Sequence, residues 1–213
     1  MSTIIAVAQR KGGVGKTTIA VCVAGELLRH VSDVGLIDAD SQASACHWAA
    51  PGNLGFPVYE LEAESRPVGE WVRMVRQIPH GVLVIDCAPN DRSLGAALAV
   101  ANIAIVPCTP SGLDIEATLR TLDIVRRVRA SRQDALKVLL VPNRVDRRTL
   151  EGQQVVDELS TLGEPVGPAI GSRSAFVRAF AAGQSVSDIA RSSAADQEIR
   201  ALTQEILAQV RAK

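Results

Sequence analysis

The sequence predicts an α/β chain with a doubly wound, mostly parallel sheet and helices on both faces. Three observations predict it. Short apolar runs rich in Val and Ile alternate with helix-length segments along the chain. Hydrophobic residues make up 47% of the chain and aromatics only 3%, so the core must be built from Val, Ile, Leu and Ala, which suits parallel strands covered by helices. A length of 213 residues suits a single domain, 1–213, better than two.

The run Ile4-Ile5-Ala6-Val7-Ala8 reads as a first strand over 4–8, and the apolar segment after Gly15 as a helix over 16–30. Val34-Gly35-Leu36-Ile37-Asp38 reads as the second strand, over 34–38, followed by a short helix holding His47 and Trp48, with Asp40 or Ser41 as its cap. Residues 50–67, rich in Pro, Gly and Glu, read as a surface loop with a short strand. A helix over 67–77 leads to Val82-Leu83-Val84-Ile85-Asp86, a strand of apolar residues closed by an acid. A helix over 93–100, a strand over 103–107, a helix over 115–130 with Asp114 as N-cap and a strand over 138–142 follow. A helix over 150–162, a strand over 166–170 and helices over 174–182 and 194–212 complete the chain. Ligands of such sheets sit beyond the carboxyl ends of the strands, where every motif discussed below lies.

No stretch approaches the roughly 18 apolar residues of a transmembrane helix. The N-terminus lacks a basic segment and enters a strand at once, so no signal peptide is expected. Cys22, Cys46, Cys87 and Cys108 show no CxxC pairing, and three of them fall in apolar runs, where a reduced cysteine packs as a small core residue. The expected compartment is the cytoplasm. Net charge is zero but uneven: residues 1–119 carry 8 basic and 12 acidic side chains, 120–149 carry 9 and 3, and 150–213 carry 6 and 8. A local basic face can bind a polyanion even on a neutral protein.

Residues 11–18 read Lys-Gly-Gly-Val-Gly-Lys-Thr-Thr, directly after the first strand. A strand feeding a glycine-rich turn that ends in Gly-Lys-Thr makes a phosphate cradle. Backbone N–H groups of Gly12, Gly13, Val14, Gly15 and Thr18 wrap the polyphosphate, Lys16 reaches the β/γ-phosphates, and the Thr17 hydroxyl reaches Mg²⁺. The common pattern has a glycine where this chain has Arg10, and Lys11 follows it. A positive charge on the outer lip of the cradle has little to do in its own subunit, which points to nucleotide contacted across a dimer interface. The motif resembles the deviant Walker A sequence, Lys-Gly-Gly-x-Gly-Lys-Thr, of the ParA/MinD family of ATPases, and is most similar to the small ParA proteins without an N-terminal DNA-binding domain. The resemblance implies a P-loop NTPase fold, ATP and Mg²⁺ as cofactors, and catalytic roles for Lys11, Lys16 and Asp40.

The second strand runs into Asp38-Ala39-Asp40-Ser41-Gln42. Two acids beside a phosphate loop are electrostatically costly unless a cation or a water uses them. The segment resembles the family's switch, Asp-x-Asp-Pro-Gln, with Ser41 in place of proline. By that resemblance Asp40 orients the attacking water, while Asp38 supports Mg²⁺ and the switch. Asp86 closes a strand of Walker B form and is expected to hold Mg²⁺, through a water, with Thr17. The run from Val106 to Asp114 resembles a loop that lies near the family's dimer interface. Asn143, in Val141-Pro142-Asn143-Arg144-Val145-Asp146, matches an asparagine that contacts adenine. A guanine code would need lysine where Arg144 stands, although Asp146 has the right spacing; ATP is the expectation and GTP the alternative. Arg144, Arg147, Arg173 and Arg191 are the expected DNA contacts, with solvated surface arginines as the plain alternative. Arg126, Arg127, Arg129 and Arg132 end a helix, where cations also suit the helix dipole. Cys46-His47 supplies too few ligands for zinc, and an iron–sulfur cluster is not expected because only Cys108 lies clearly beyond the Walker B strand.

The resemblance implies an ATPase that ATP joins into a sandwich homodimer, that binds DNA nonspecifically, and that a ParB-like or cargo-adaptor protein stimulates. Such a cycle segregates or positions plasmid, chromosome or protein cargo, and places the protein on the nucleoid in its ATP state. No helix-turn-helix precedes Thr3, so operator binding is not expected. One alternative is a MinD-like membrane switch, though residues 205–213 hold no aromatic and only two basic groups, so no stable membrane association is expected. Another is a metabolic P-loop enzyme, for which no substrate motif stands out.

Overall fold

Side chains alternate across a strand, so a strand buried on both faces feeds two cores. In the computed structural model, which describes residues 2–211, strand β1 (Thr3–Val7) sends Ile4 and Ala6 into one apolar cluster and Ile5 and Val7 into another. Strands β2 (Val34–Asp38), β3 (Val58–Glu60), β4 (Val82–Asp86), β5 (Ile103–Cys108) and β6 (Lys137–Pro142) join it in a six-stranded sheet, ordered β3-β2-β4-β1-β5-β6. Every pairing is parallel. The short strand expected within 50–67 is β3, at the sheet edge.

The cluster with Ile5 and Val7 is completed by α1 (Lys16–Leu27), α2 (Ser44–Ala49), α7 (Ser174–Ala182), α8 (Val186–Ile189) and α9 (Ala194–Arg211). The other is completed by α3 (Val68–Gln77), α4 (Asp91–Val100), α5 (Gly112–Ser131) and α6 (Leu150–Ser160). The winding reverses at β1, which lies between β4 and β5. The loop leaving β1 therefore emerges at the crevice where open α/β sheets bind ligands.

Several boundaries differ from expectation for local reasons. Helix α1 stops at Leu27, because the N–H groups of Arg29 and His30 turn back to Glu26 and Leu27 in a tighter closing turn. Helix α4 begins at Asp91, since the Asn90 side chain accepts the Ser93 N–H at 2.9 Å. No strand forms over 166–170; only bridges at Val166 and Gly171 survive, because Pro165 and Pro168 lack the N–H a ladder needs. Helix α8 has four residues, too short to show a period. The expected last helix reached 212, a residue that, with 213, lies outside the described residues.

Candidate nucleotide site

The phosphate loop is shaped by two left-handed glycines, Gly13 at φ +77° and Gly15 at φ +92°. A Cβ on Gly15 would sit 2.5 Å from the Asn143 amide nitrogen, so glycine is needed there for both conformation and space. Asn143 follows β6, is 5% exposed, and donates its amide to the Val14 carbonyl at 2.6 Å. It thereby locks the loop to the end of the sheet. Gln9 does the same from below: its amide donates to the Pro107 carbonyl at 3.1 Å and to the Thr118 hydroxyl at 3.0 Å, and its carbonyl accepts the Thr121 hydroxyl at 2.6 Å. Sequence reasoning missed Gln9, Thr118 and Thr121, because nothing local marks a polar triad whose members are far apart in the chain.

A cavity of about 700 Å³ opens over the loop, lined by Gly12, Gly13, Gly15, Lys16, Thr17 and Thr18, by Asp40 from the β2 end, and by Asn143 and Arg144 from the β6 end. Val14 turns inward and is buried. Lys16 is 7% exposed and donates to the Lys11 carbonyl at 3.2 Å. Burial lowers its pKa, opposed by the nearby charge of Asp86. This ammonium is short of water and of partners, as a phosphate ligand should be.

Asp86, at the end of β4, is buried, and neither carboxylate oxygen meets an aligned donor. Burial pushes its pKa up to about 7; the Thr17 side chain pulls against that rise, and Asp38 adds to it. An unpartnered buried carboxylate beside a hydroxyl fits Mg²⁺, which takes one or two carboxylates and completes its shell with water and phosphate oxygens. Among the described residues no three His, Cys, Asp or Glu side chains form a cage of their own, so a nucleotide would have to complete the shell.

Asp38 corrects one expectation. Neither Asp40 nor Ser41 caps the following helix. Asp38 accepts the N–H groups of Ala45 at 2.8 Å and Cys46 at 3.0 Å on one oxygen, and that of Asp40 at 3.2 Å on the other. Burial raises its pKa and those three bonds oppose the rise. With three backbone N–H groups on its carboxylate, Asp38 holds helix α2 in place, while the Asp86 carboxylate has no hydrogen-bond partner. Asp40 is the acid that faces the cavity, its Oδ1 accepting only the Gln42 N–H at 3.0 Å.

Asp114 is likewise not the cap of α5, which begins at Gly112 with Ser111 at the N-cap. It lies in the first turn, buried, bonded to the Thr109 hydroxyl and ion-paired with Lys11. Lys11 therefore does have a partner in its own subunit, contrary to expectation.

The expected DNA residues separate. Arg144, at φ +54°, lines the cavity; Arg147 lines an adjoining depression of about 380 Å³; Arg173 lines both, and Arg191 lines neither. Arg173 donates to Glu198 at 2.6 Å, which raises its pKa. In the basic segment, Arg126 pairs with Asp123, Arg129 with Glu164 and Arg132 with Asp134, so these three serve α5 and its surroundings. Asp146 is gripped by the Arg148 guanidinium and lines the depression rather than the cavity.

A pH dependence follows from Asp86. Its carboxyl titrates at 3.8 in an ordinary setting and at about 7 here. The fold keeps the proton that the unfolded chain releases, so stability of the nucleotide-free protein falls as pH rises through that window. Metal-dependent nucleotide binding needs the ionised form, so affinity rises about tenfold per pH unit below 7 and levels off above it. Titration calorimetry between pH 5.5 and 8.5 checks this, and Asp86→Asn removes the slope.

Residues 5–186 match the CobQ/CobB/MinD/ParA nucleotide binding domain. Maintenance of carboxysome distribution protein A from Halothiobacillus neapolitanus is 29% identical over 209 residues, covering 95% of each chain. The protein of the same name from Gloeobacter kilaueensis is 35% identical over 184 residues, covering 84% of this chain and 78% of that one. The structure of a Cyanothece McdA variant in complex with ATP superposes with a TM-score of 0.75 at 17% identity, covering 100% of this chain and 97% of the other. The chain belongs to the CobQ/CobB/MinD/ParA family of nucleotide-binding domains, among its ParA/MinD ATPases.

Proposed function

We propose that this protein binds Mg²⁺–ATP, dimerises around it, holds nonspecific DNA in that state and lets go when a partner protein triggers hydrolysis. Support comes from the two lysines of one phosphate loop, which serve different cavities. Lys16 lines the nucleotide cavity, whereas Lys11 lines a neighbouring depression of about 430 Å³ and rests on Asp114. Lys11 is turned off its own cradle, and exchanging Asp114 for the phosphates of another subunit would put it to use there.

Bound Mg²⁺, held by Thr17 and through water by Asp86, would neutralise charge on the phosphates. The remaining work belongs to the chain. Loop N–H groups and Lys16 bind the phosphates, Asp40 orients the attacking water, and Lys11 of the second subunit offsets charge that builds on the transferred group. Adenine is favoured over guanine because Asp146, which a guanine site would use, is held outside the cavity by Arg148. Helix α9 buries Ile199, Leu202 and Ile206 in the cluster shared with α1, which leaves no apolar stripe for a membrane. No helix among the described residues is long and apolar enough to cross one.

The names of the carboxysome-distribution relatives favour a protein compartment as cargo and a cargo adaptor, rather than a ParB-like protein, as the stimulating partner. The protein would act in the cytoplasm and on the nucleoid. Arg147 is exposed and its guanidinium is uncommitted, so it is the clean test of the DNA surface. Arg147→Glu should weaken ATP-dependent DNA binding about tenfold and lower the salt slope by about 1, leaving nucleotide affinity unchanged. Fluorescence anisotropy with a random duplex measures both; an unchanged slope would remove Arg147, and with it this face, from the DNA surface.

A further inference from the structure

Four large apolar side chains among the described residues leave more than half their surface in water: Leu113, Leu150, Val177 and Phe180. Three of these border the phosphate loop. Val177 and Phe180 rim the nucleotide cavity beside Gly12 and Gly13, and Leu113 lines the neighbouring depression with Lys11. Apolar surface concentrated around a charged cradle calls for a cover. The rim is also preformed. Phe180 stands edge-on to Trp48 with ring centroids 5.3 Å apart, and the Trp48 indole donates to the Gln184 carbonyl at 3.0 Å. Leu113 adjoins Asp114, which Thr109 fixes.

The occupant follows from the position of Lys11, and the inference rests on the sandwich dimer proposed above. If Lys11 of one subunit lies over the phosphates of the other, its neighbour Leu113 is carried to the rim of that same cavity. A two-fold axis makes the contact twice. We propose that Leu113 of each subunit seats against Val177 and Phe180 of its partner, closing an apolar collar over the nucleotide. The collar excludes bulk water, leaving the water held by Asp40 as the one able to attack. It also ties closure to the switch, because Phe180 leans on Trp48 of α2, the helix whose first-turn N–H groups Asp38 accepts.

The test is analytical ultracentrifugation of the full chain with Mg²⁺ and a non-hydrolysable ATP analogue. Leu113→Glu should weaken dimerisation by about tenfold or more. It should leave nucleotide binding by the monomer unchanged, because Leu113 does not line the cavity. Leu150→Glu, exposed but lining neither cavity, should dimerise as the wild type does. Leu113→Ala and Val177→Ala should each weaken the dimer, and the double variant should lose less than the product of the two, because both remove the same contact. A wild type that stays monomeric overturns the sandwich and the collar together. A wild-type dimer matched by Leu113→Glu overturns the collar alone, and losses from Leu113→Ala and Val177→Ala that multiply independently overturn the pairing of these two residues.

Discussion

Lys16→Ala removes nucleotide binding while leaving the fold intact. Lys16 is 7% exposed, borders the cavity, and donates to the Lys11 carbonyl. Losing a buried cation from a polyphosphate site costs about 3 kcal/mol or more, about a hundredfold in affinity. Hydrolysis falls to background. The nucleotide-free protein pays little, because burial already lowers the pKa of this lysine and so works against the charged form. Isothermal titration with ATP, beside a thermal melt of the apo protein, separates the two effects. A melting point that collapses would mean Lys16 is structural.

Lys11→Ala gives a different profile: nucleotide still binds, and dimerisation, DNA binding and hydrolysis are lost together. In the single subunit Lys11 pairs with buried Asp114, so removal leaves a carboxylate held only by Thr109, at a stability cost of about 1–3 kcal/mol. Asp114→Asn is the opposite case. It keeps a hydrogen-bond partner for Thr109 but frees Lys11, so ATP-dependent dimerisation should strengthen. Sedimentation with and without ATP reads both variants. If Lys11→Ala dimerises like the wild type, the transfer of Lys11 between subunits is wrong.

The phosphate loop, the acid-ended strands and the parallel sheet were legible because each is written in consecutive residues. Ile4 through Thr18 spells strand, turn and helix without a gap, and Asp38 and Asp86 each close an apolar run. The roles of the polar residues were less legible, because their partners are distant in the chain. Nothing in the sequence ties Lys11 to Asp114, or Gln9 to Thr118 and Thr121. Asp38 and Asp40 stand two apart and look interchangeable, yet burial and the N-terminus of α2 assign one to the backbone and leave the other facing the cavity. The collar residues carried no motif, since an apolar residue in a helix reads as core until its exposure is known.

The most direct measurement is binding to nonspecific duplex DNA with ATP, with ADP and without nucleotide, each at two salt concentrations. The proposed cycle requires binding only with ATP, weakening steeply as salt rises, since phosphate contacts release counterions. Binding that is equal in all three states, or absent in all three while ATP is still hydrolysed, would contradict it.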